Sequence, residues 1–425
     1  MLQKPKGTYD IFGKKAYMMI YLKNVISSLM DKYNVKFMEA PIFEYSELFH
    51  RGVGETTDIV SKETYDFKDR GDRNLTLRPE GTAGIVRSFV ENKLYALENP
   101  SKFWYFGPMF RYERPQAGRY RQFYQFGFES FGSYSPVMDA EVISIVYNFI
   151  KILGLKGVRV RINTLGDRQS RDNYRGALLD YFKPHLEELC EDCNRRYEKN
   201  PLRIIDCKVD SDKVFMKDAP KMIDYLNEDS LNHFEMVKKY LNDMNIDYEI
   251  DSNIVRGLDY YTHTVFEVQA DIKGFGSQNV LAGGGRYNNL VENIGGPSVP
   301  GVGFAVGIER LLLALEFEGL DNIEFESNDI YIFSMTEDKG YMMSIANNLR
   351  VNGFSAEIDY DGKNIKNNFK KADKLNSKFV IIIGDEEISS KVITVKNNKT
   401  KEEYKIKEED LISFFSENLG DIDEN

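Results

Sequence analysis

Residues 103–129, FWYFGPMFRYERPQAGRYRQFYQFGFE, carry the densest chemistry in the chain. They read as two antiparallel strands joined by a basic loop. The first strand, 103–112, is aromatic and apolar and delivers Arg111 and Glu113 at its end. The loop RPQAGRYR holds Pro115 and Gly118 as turn residues, with Arg114, Arg119 and Arg121 as its cations. Alternation along the second strand puts Phe123, Gln125, Gly127, Glu129 and Phe131 on one face. Burying Gln and Glu in a sheet is unfavourable unless a partner satisfies them. That face therefore reads as a polar site rather than as a salt-bridged hairpin.

Four separated segments present an arginine, most of them close to glycine. They are Arg111, Arg256 in VRGLDYY, Arg286 in GGGRY and Arg310 in GIERL. The planar guanidinium fork matches phosphate, and glycine lets a ligand approach the backbone. No Walker lysine motif and no dinucleotide fingerprint accompanies them. The set predicts a triphosphate held by arginine side chains. Arg310 opens an apolar helix; it would snorkel, cap a carboxylate or face phosphate, where the helix dipole adds a positive field.

These groups need a frame. At 425 residues the chain is long for one core, so two or three domains are expected. A composition of 42% hydrophobic and 29% charged residues is that of a soluble globular protein. No run is apolar enough to span a bilayer, and MLQKPKGTYDIFG lacks the apolar core of a signal peptide. Cytoplasmic residence and no membrane partner are the expectation. A net charge of −11 argues against indiscriminate nucleic-acid coating but leaves room for a local basic patch such as 114–121.

Residues 14–33 read as an amphipathic helix with Tyr17, Ile20, Tyr21, Val25, Leu29 and Met30 at helical spacing. VKFMEAPIFEYSELF (35–49) reads as a strand interrupted by Pro41, hence at an edge or interface. A hairpin over 63–80 precedes a helix over 81–98. A helix over 139–153 and a strand over 159–166 follow the central hairpin. Residues about 167–250 are polar and helical in pattern, an inserted module. Sheet signals return at 256–268 and 279–291, and 301–315 is a glycine-rich strand running into an apolar helix. An acidic linker over 316–328 leads to β–α–β alternation, which predicts a small α/β domain with a mostly parallel sheet. Its helix at 363–378 carries Lys363, Lys366, Lys370, Lys371, Lys374 and Lys378, read either as a solvated face or as a phosphate-contacting one.

Cys190 and Cys193 form a CxxC, with Cys207 beyond and His185 before, a Cys₃His zinc set in outline. The spacing is irregular, so the sulfurs read as ordinary thiols and no bound metal is expected. An odd count of three cysteines fits a reducing compartment.

Taken together, the chain resembles a class II aminoacyl-tRNA synthetase, and closely the histidyl-tRNA synthetase family. The first class motif is similar to 35–49 with Pro41. The second is similar to 103–129 with FRYE at 110–113, and the third to GVGFAVGIERL at 301–311. RGLDYYTHTVFE (256–267) and AGGGRY (282–287) resemble the histidine-specific signatures, and LRPEGT (77–82) and KGTYD (6–10) match as well.

The resemblance implies an α+β fold. Residues 1–326 would form a catalytic domain of antiparallel sheet flanked by helices, with the helical insertion at about 167–250. Residues 327–425 would form an α/β anticodon-binding domain. It implies ATP, with Mg²⁺ as its substrate complex and no tightly bound cofactor. The partners implied are L-histidine, tRNA(His) and a second copy of the chain.

Position by position, Arg111, Arg256 and Arg310 would be catalytic. Arg111, Glu113, Arg256 and Arg310 would bind ATP, with Arg256 on the α-phosphate and Arg310 toward the γ-phosphate. Glu80, Gly81, Thr82 and Gln125 would hold the substrate α-ammonium end. Glu129 and Tyr261 would read the imidazole, with Tyr260 and Tyr287 nearby. Arg114, Gln116, Arg119 and Arg121 would meet tRNA. The rival reading is the non-catalytic regulatory paralogue that partners an ATP phosphoribosyltransferase. Such paralogues usually lose the C-terminal domain and erode the arginine motifs, and both are present in this chain.

Overall fold

The computed structural model describes residues 2–419 apart from 55, 56, 58, 208, 255–257, 273, 274, 276–278, 323–327 and 363. The chain divides into two compact units, 1–323 and 324–425.

The first unit opens with α1 (Lys14–Lys32), β1 (Lys36–Phe37), β2 (Phe43–Tyr45) and α2 (Ser46–Phe49). Next come β3 (Tyr65–Lys68), β4 (Asn74–Leu77) and α3 (Thr82–Glu91), then the long hairpin β5 (Ser101–Phe110) and β6 (Gln122–Phe131). It continues through α4 (Pro136–Ile152), β7 (Val158–Thr164), α5 (Arg168–Phe182), α6 (Glu191–Lys199), α7 (Glu228–Asp243) and β8 (Tyr248–Ile250). β9 (Thr262–Ala270), β10 (Val280–Arg286), α8 (Leu290–Asn293), β11 (Gly301–Gly307) and α9 (Ile308–Phe317) complete it.

Eight strands form one sheet in the order β1-β5-β6-β11-β10-β9-β7-β8. The inner pairings, from β5 through to β7, are all antiparallel. β2, β4 and β3 make a separate small sheet. Strand alternation gives the large sheet two unlike faces. Trp104, Phe126, Phe128, Phe266, Val268, Val302, Phe304 and Val306 point into one core. That core also holds Leu22, Ile26 and Leu29 of α1 and Val142, Val146 and Phe149 of α4. Residues one position out of phase, among them Tyr105, Gln125, Glu129, Gly283 and Gly303, face the other way. Ser135 caps α4 by accepting a hydrogen bond from Val137 N at 3.3 Å, and Pro136 fixes its first turn.

Several expectations change at this level. On α1 the buried stripe is Met18, Met19, Leu22, Ile26, Leu29 and Met30, while Tyr17, Ile20 and Tyr21 stay exposed. The helix carries apolar residues on two sides, and only packing decides which side is the core. The strand expected at 35–49 is two short strands in different sheets, broken around Pro41, whose missing N–H cannot continue a ladder. The expected insertion at about 167–250 is not one module. Phe234, Val237 and Leu241 of α7 join the main core, and β8 extends the large sheet by pairing with β7. A separate small core forms around Tyr174, Leu178, Phe182, Cys193, Ile204 and Phe215.

Arg286 is the main correction. It is fully buried and unavailable to phosphate. Its guanidinium pairs with Asp139, also fully buried, and donates to Ser133 O at 2.7 Å and Ser135 O at 3.2 Å. Burial pushes the Asp139 carboxyl up, but Arg286 and His233 outweigh it and hold it well below the usual range. The pair ties the end of β10 to the first turn of α4.

The second unit contains β12 (Ile330–Ser334), α10 (Gly340–Val351), β13 (Ala356–Ile358), α11 (Ile365–Lys374) and β14 (Phe379–Ile383). α12 (Asp385–Ser390), β15 (Val392–Asn397), β16 (Glu403–Lys407) and α13 (Leu411–Leu419) follow. Its sheet has the order β13-β12-β14-β15-β16, with parallel pairing among the first three strands and antiparallel pairing of β14 with β15 and of β15 with β16. On the lysine-bearing segment, Lys366, Lys370 and Lys374 are exposed. Lys371 lies 3.7 Å from Glu357, and Lys378 pairs with Asp329 at 3.0 Å. Lys363 lies outside the described residues.

Asp139→Asn keeps the shape and leaves the Arg286 charge buried and uncompensated. It should lower unfolding free energy by about 3–5 kcal/mol, read as a reduced urea midpoint. An unchanged midpoint would show that the pair does not hold α4.

Candidate functional site

The face of the large sheet that carries glycines and polar groups forms the floor of a cavity of about 400 Å³. Its lining includes Glu80, Thr82, Arg111, Glu113, Arg119, Gln125, Glu129, Tyr260, Tyr261, Tyr287 and Arg310. These residues come from six separate stretches of the chain, and the fold brings them together.

Glu129 sits at the inner end, 1% exposed, on a central strand. Thr82 Oγ1 donates to its Oε1 at 2.7 Å and Tyr287 OH donates to its Oε2. Tyr105 OH lies 3.5 Å from Oε1. Burial pushes this carboxyl up to about 8, against the pull of the Tyr287 and Thr82 hydroxyls. Space for it is made by glycine. Gly303 pairs with Glu129 in register, and a Cβ there would lie 2.0 Å from Glu129 Oε2. Gly301 in the same way leaves room for the Tyr287 ring, which a Cβ would meet at 2.1 Å. Gly285 of β10, where a Cβ would lie 2.8 Å from the Tyr261 ring, and Gly301 and Gly303 of β11 are thus the negative of side chains that line the pocket.

Glu80 is buried and closes the start of α3. It accepts from Thr82 N and Ala83 N, both at 2.8 Å, and burial raises its carboxyl above the usual range. Gln125 is also buried, and its Oε1 has no hydrogen-bond partner among the described residues. An orphaned acceptor in a cavity wall is a place for a donor from a ligand. Tyr260 packs its ring on those of Tyr261 and Tyr287, with centroids 4.7 and 5.5 Å apart. The insertion supports this corner, where Arg171 of α5 donates to Tyr261 O at 2.9 Å.

The outer part of the cavity is cationic. Arg111 is anchored by its Nε to Pro79 O at 2.8 Å, and its Nη1 lies 3.7 Å from Glu113. Arg119 approaches the same Glu113 at 3.4 Å. Arg310 donates from Nη1 to Val280 O at 3.2 Å. Burial, then the nearby Arg119 and Arg111 charges, lower its proton affinity. Crowded guanidiniums of this kind are relieved by an anion.

The remaining expected positions lie elsewhere. Arg114 and Gln116 are exposed on the hairpin loop, where Gln116 and Arg119 exchange backbone hydrogen bonds of 2.9 and 3.1 Å. Arg121 is half-buried, stacked 3.9 Å above the Tyr112 ring and linked through its N–H to Gly7 O at 2.8 Å. Gly81 sits beside the cavity with its α-carbon close to the Tyr105 ring. Arg256 lies outside the described residues.

Sequence reasoning missed Tyr105, Glu267 and the Glu309–Tyr9 contact. Tyr105 lies opposite Gly127 in the β5–β6 register, a small residue facing a large one, and that was the available signal. Glu309 accepts from Tyr124 N at 2.8 Å and from Tyr9 OH, so it ties the N-terminal arm to α9.

The second unit matches a family model described as Anticodon binding domain over residues 329–418. The antiparallel-rich sheet, its arginine-rimmed cavity and this separate α/β unit define a class II aminoacyl-tRNA synthetase. A family model described as Histidyl-tRNA synthetase matches residues 7–311. Histidine--tRNA ligase of Anoxybacillus flavithermus is 50% identical over 97% of this chain and 98% of its own length. That of Bacillus subtilis is 50% identical over 97% and 98%. The crystal structure of apo S. aureus histidyl-tRNA synthetase superposes with a TM-score of 0.83 at 43% identity, covering 98% of this chain and all of that one. The chain belongs to the histidyl-tRNA synthetase family, the histidine–tRNA ligases. Among the described residues, no helix is long and apolar enough to cross a membrane.

The Glu129 environment fixes a pH dependence. Its folded pKa of about 8 lies above the ordinary 4.5, so stability falls as pH rises through that window. Glu129→Gln removes the burden. The variant should gain on the parent by roughly 2–5 kcal/mol between about pH 5 and about pH 9, read from urea midpoints. A pH-independent difference would mean that Glu129 is ionised throughout.

Proposed function

We propose that this cavity is where L-histidine and ATP react, and that the inner and outer halves divide the work. One observation carries the proposal: a single cavity joins an acceptor-rich inner end to an arginine-rich outer end. The inner end holds Glu80, Gln125 and Glu129, and the outer end Arg111, Arg119 and Arg310. An amino acid presents an ammonium and, here, an imidazole. A nucleoside triphosphate presents anionic oxygens. Glu80, Thr82 and Gln125 take the α-ammonium, with the orphaned Gln125 Oε1 as its acceptor. Glu129 accepts the imidazole N–H, and a tyrosine hydroxyl, that of Tyr261, serves the other ring nitrogen. Tyr260 and Tyr287 wall the ring, and Gly81, between Glu80 and Thr82 at the α-ammonium end, leaves room for the Tyr105 ring, which a Cβ would meet at 2.3 Å.

ATP enters with Mg²⁺ as its substrate complex. Arg111, with Glu113 beside it, holds the α-phosphate and the histidine carboxylate, Arg310 the γ-phosphate side, and Arg256 the α-phosphate. The histidine carboxylate attacks the α-phosphorus in line, the bond to the β-phosphate oxygen breaks, and pyrophosphate leaves. Positioning and charge neutralisation carry such a step, so no side-chain nucleophile is assigned. A terminal ribose hydroxyl of tRNA(His) then attacks the adenylate carbonyl and releases AMP. Arg114, Gln116, Arg119 and Arg121 guide that end of the tRNA, and residues 327–425 read the anticodon while 1–326 activate. The setting is cytoplasmic.

The chain works as a homodimer. α1 exposes Ile20 and Tyr21, the edge strand β1 exposes Phe37, and the small sheet exposes Phe43, Tyr45 and Phe67. Apolar side chains left outward in this number mark an interface.

Pyrophosphate exchange that requires histidine tests the central reading. Arg310→Ala should cut the exchange rate on the order of a hundredfold. Glu129→Gln should raise KM for histidine while KM for ATP holds. Arg114→Ala should lower tRNA charging but not exchange. Equal losses for both substrates in Glu129→Gln would make that residue structural.

The dimer is checked by sedimentation. A species of twice the chain mass is expected at micromolar concentration, and Ile20→Asp with Phe43→Asp should halve it. A stable monomer in the parent chain would refute the interface.

A further inference from the structure

The insertion holds a cluster that the pocket does not use. Cys190 caps α6, and Cys193 N donates to its Sγ at 3.4 Å. Cys190 Sγ lies 3.8 Å from Cys207 Sγ. The ligand atoms of Cys190, Cys193, Cys207 and Asp210 all lie within 4.8 Å of one another. Cys193, Cys207 and Asp210 are buried, and all three cysteines are free thiols.

Distance excludes a disulfide here, and the convergence of four ligand atoms rather than one thiol–thiol contact points to a metal. A disulfide needs sulfurs about 2.0 Å apart. A tetrahedral zinc with Zn–S bonds of about 2.3 Å places its sulfurs about 3.8 Å apart. The Cys190–Cys207 separation is the second of these. His185, the histidine near the cysteines in sequence, is not in the cluster. It stacks on Phe215 at 4.3 Å and contacts Glu188 at 2.8 Å. Asp210 takes the fourth place, fully buried, accepting from Cys190 N and pairing with Lys213 at 2.7 Å.

We propose that Cys190, Cys193, Cys207 and Asp210 bind one Zn²⁺ through three thiolates and a carboxylate. Soft sulfur ligands select zinc over magnesium or calcium. Four protein ligands leave no open position, so the ion is structural and not catalytic. It joins the first turn of α6 to Cys207 and Asp210. On binding, each thiol gives its proton to solvent. Burial holds Cys193 and Cys190 in the neutral form without metal, so the ion must displace those protons. The N–H of Cys193 on Cys190 Sγ is the kind of outer contact that stabilises a bound thiolate. Lys213 offsets part of the excess negative charge that four anionic ligands create.

The full-length chain, purified from zinc-supplemented culture and dialysed against metal-free buffer, is the test. Elemental analysis should find one zinc per chain, and the three thiols should react with a thiol reagent only after the metal is stripped. Cobalt added to the stripped chain should give tetrahedral d–d bands and a sulfur-to-cobalt charge-transfer band. Cys193→Ser should lower zinc content about tenfold. That variant could perturb the insertion, so the stripped and reloaded parent chain is the second arm and needs no substitution. Asp210→Asn should weaken zinc affinity while keeping the sulfur-to-cobalt band. Zinc below about a tenth per chain with freely reacting thiols would overturn the proposal. So would a disulfide between Cys190 and Cys207 in the native protein.

Discussion

A carboxylate in the middle of a sheet is an expensive thing to keep, and Glu129 sets the terms for what surrounds it. It needs donors on every side and no Cβ opposite. Thr82, Tyr287 and Tyr105 supply hydroxyls, and Gly303 supplies the gap. Each of those residues is in turn fixed by something else. Thr82 is where α3 begins, and α3 begins there because Glu80 accepts its first N–H groups. Tyr287 fits because Gly301 yields space. The β4–α3 corner, β5, β6 and the end of β10 are thereby joined through one polar network, and β11 gives it room through its glycines.

The same sheet solves the opposite problem on its other face. A period of two lets each strand serve an apolar core with one set of residues and the cavity with the next. Phe126 and Phe128 pack toward α1 and α4 while Gln125 and Glu129 turn to the cavity. A slip of one residue in the β6–β11 register would bury the wrong set, so the large rings also protect the registration of the small polar ones. The cost of a polar, glycine-rich face is offset by a densely aromatic one.

What could be read from the chain alone follows from how local each signal is. The alternation of β6 and the glycine strand running into α9 are local, and both appear where the pattern put them. Arg286 and Arg310 look alike in sequence, each an arginine near glycine. One is buried on Asp139, which lies 147 positions away, and the other faces the cavity. Composition and local spacing alone do not distinguish them. The α1 stripe was legible in part, with Leu29 and Met30 buried and Tyr17, Ile20 and Tyr21 exposed: a helix with two apolar sides shows one periodicity, and the choice belongs to the sheet it meets. The boundary of the insertion was hidden because α7 is polar on average yet sends Phe234, Val237 and Leu241 into the main core. His185 and Asp210 are both near the cysteines along the chain, and only the fold, which brings Asp210 and not His185 to the sulfurs, decides between them.

The insertion lies between β7 and β9 in sequence, and it acts on the cavity as well. α5 reaches the pocket loop through Arg171 on Tyr261 O, and Asn200 at the end of α6 donates to Asp259 Oδ1 at 3.0 Å. Asp259 and Tyr261 bracket Tyr260, one wall of the inner cavity. The N-terminal end of α6 is the cysteine cluster and its C-terminal end is Asn200, so the helix is a strut between the two. A strut positions its far end only as well as its near end is fixed. The small core of the insertion, built on Tyr174, Leu178, Phe182 and Ile204, is limited in apolar area. Cores of that size need a further constraint to hold one geometry. A four-ligand cluster at the base of α6 supplies one at the point where a small shift would be carried along the helix to the loop of Asp259 and Tyr261.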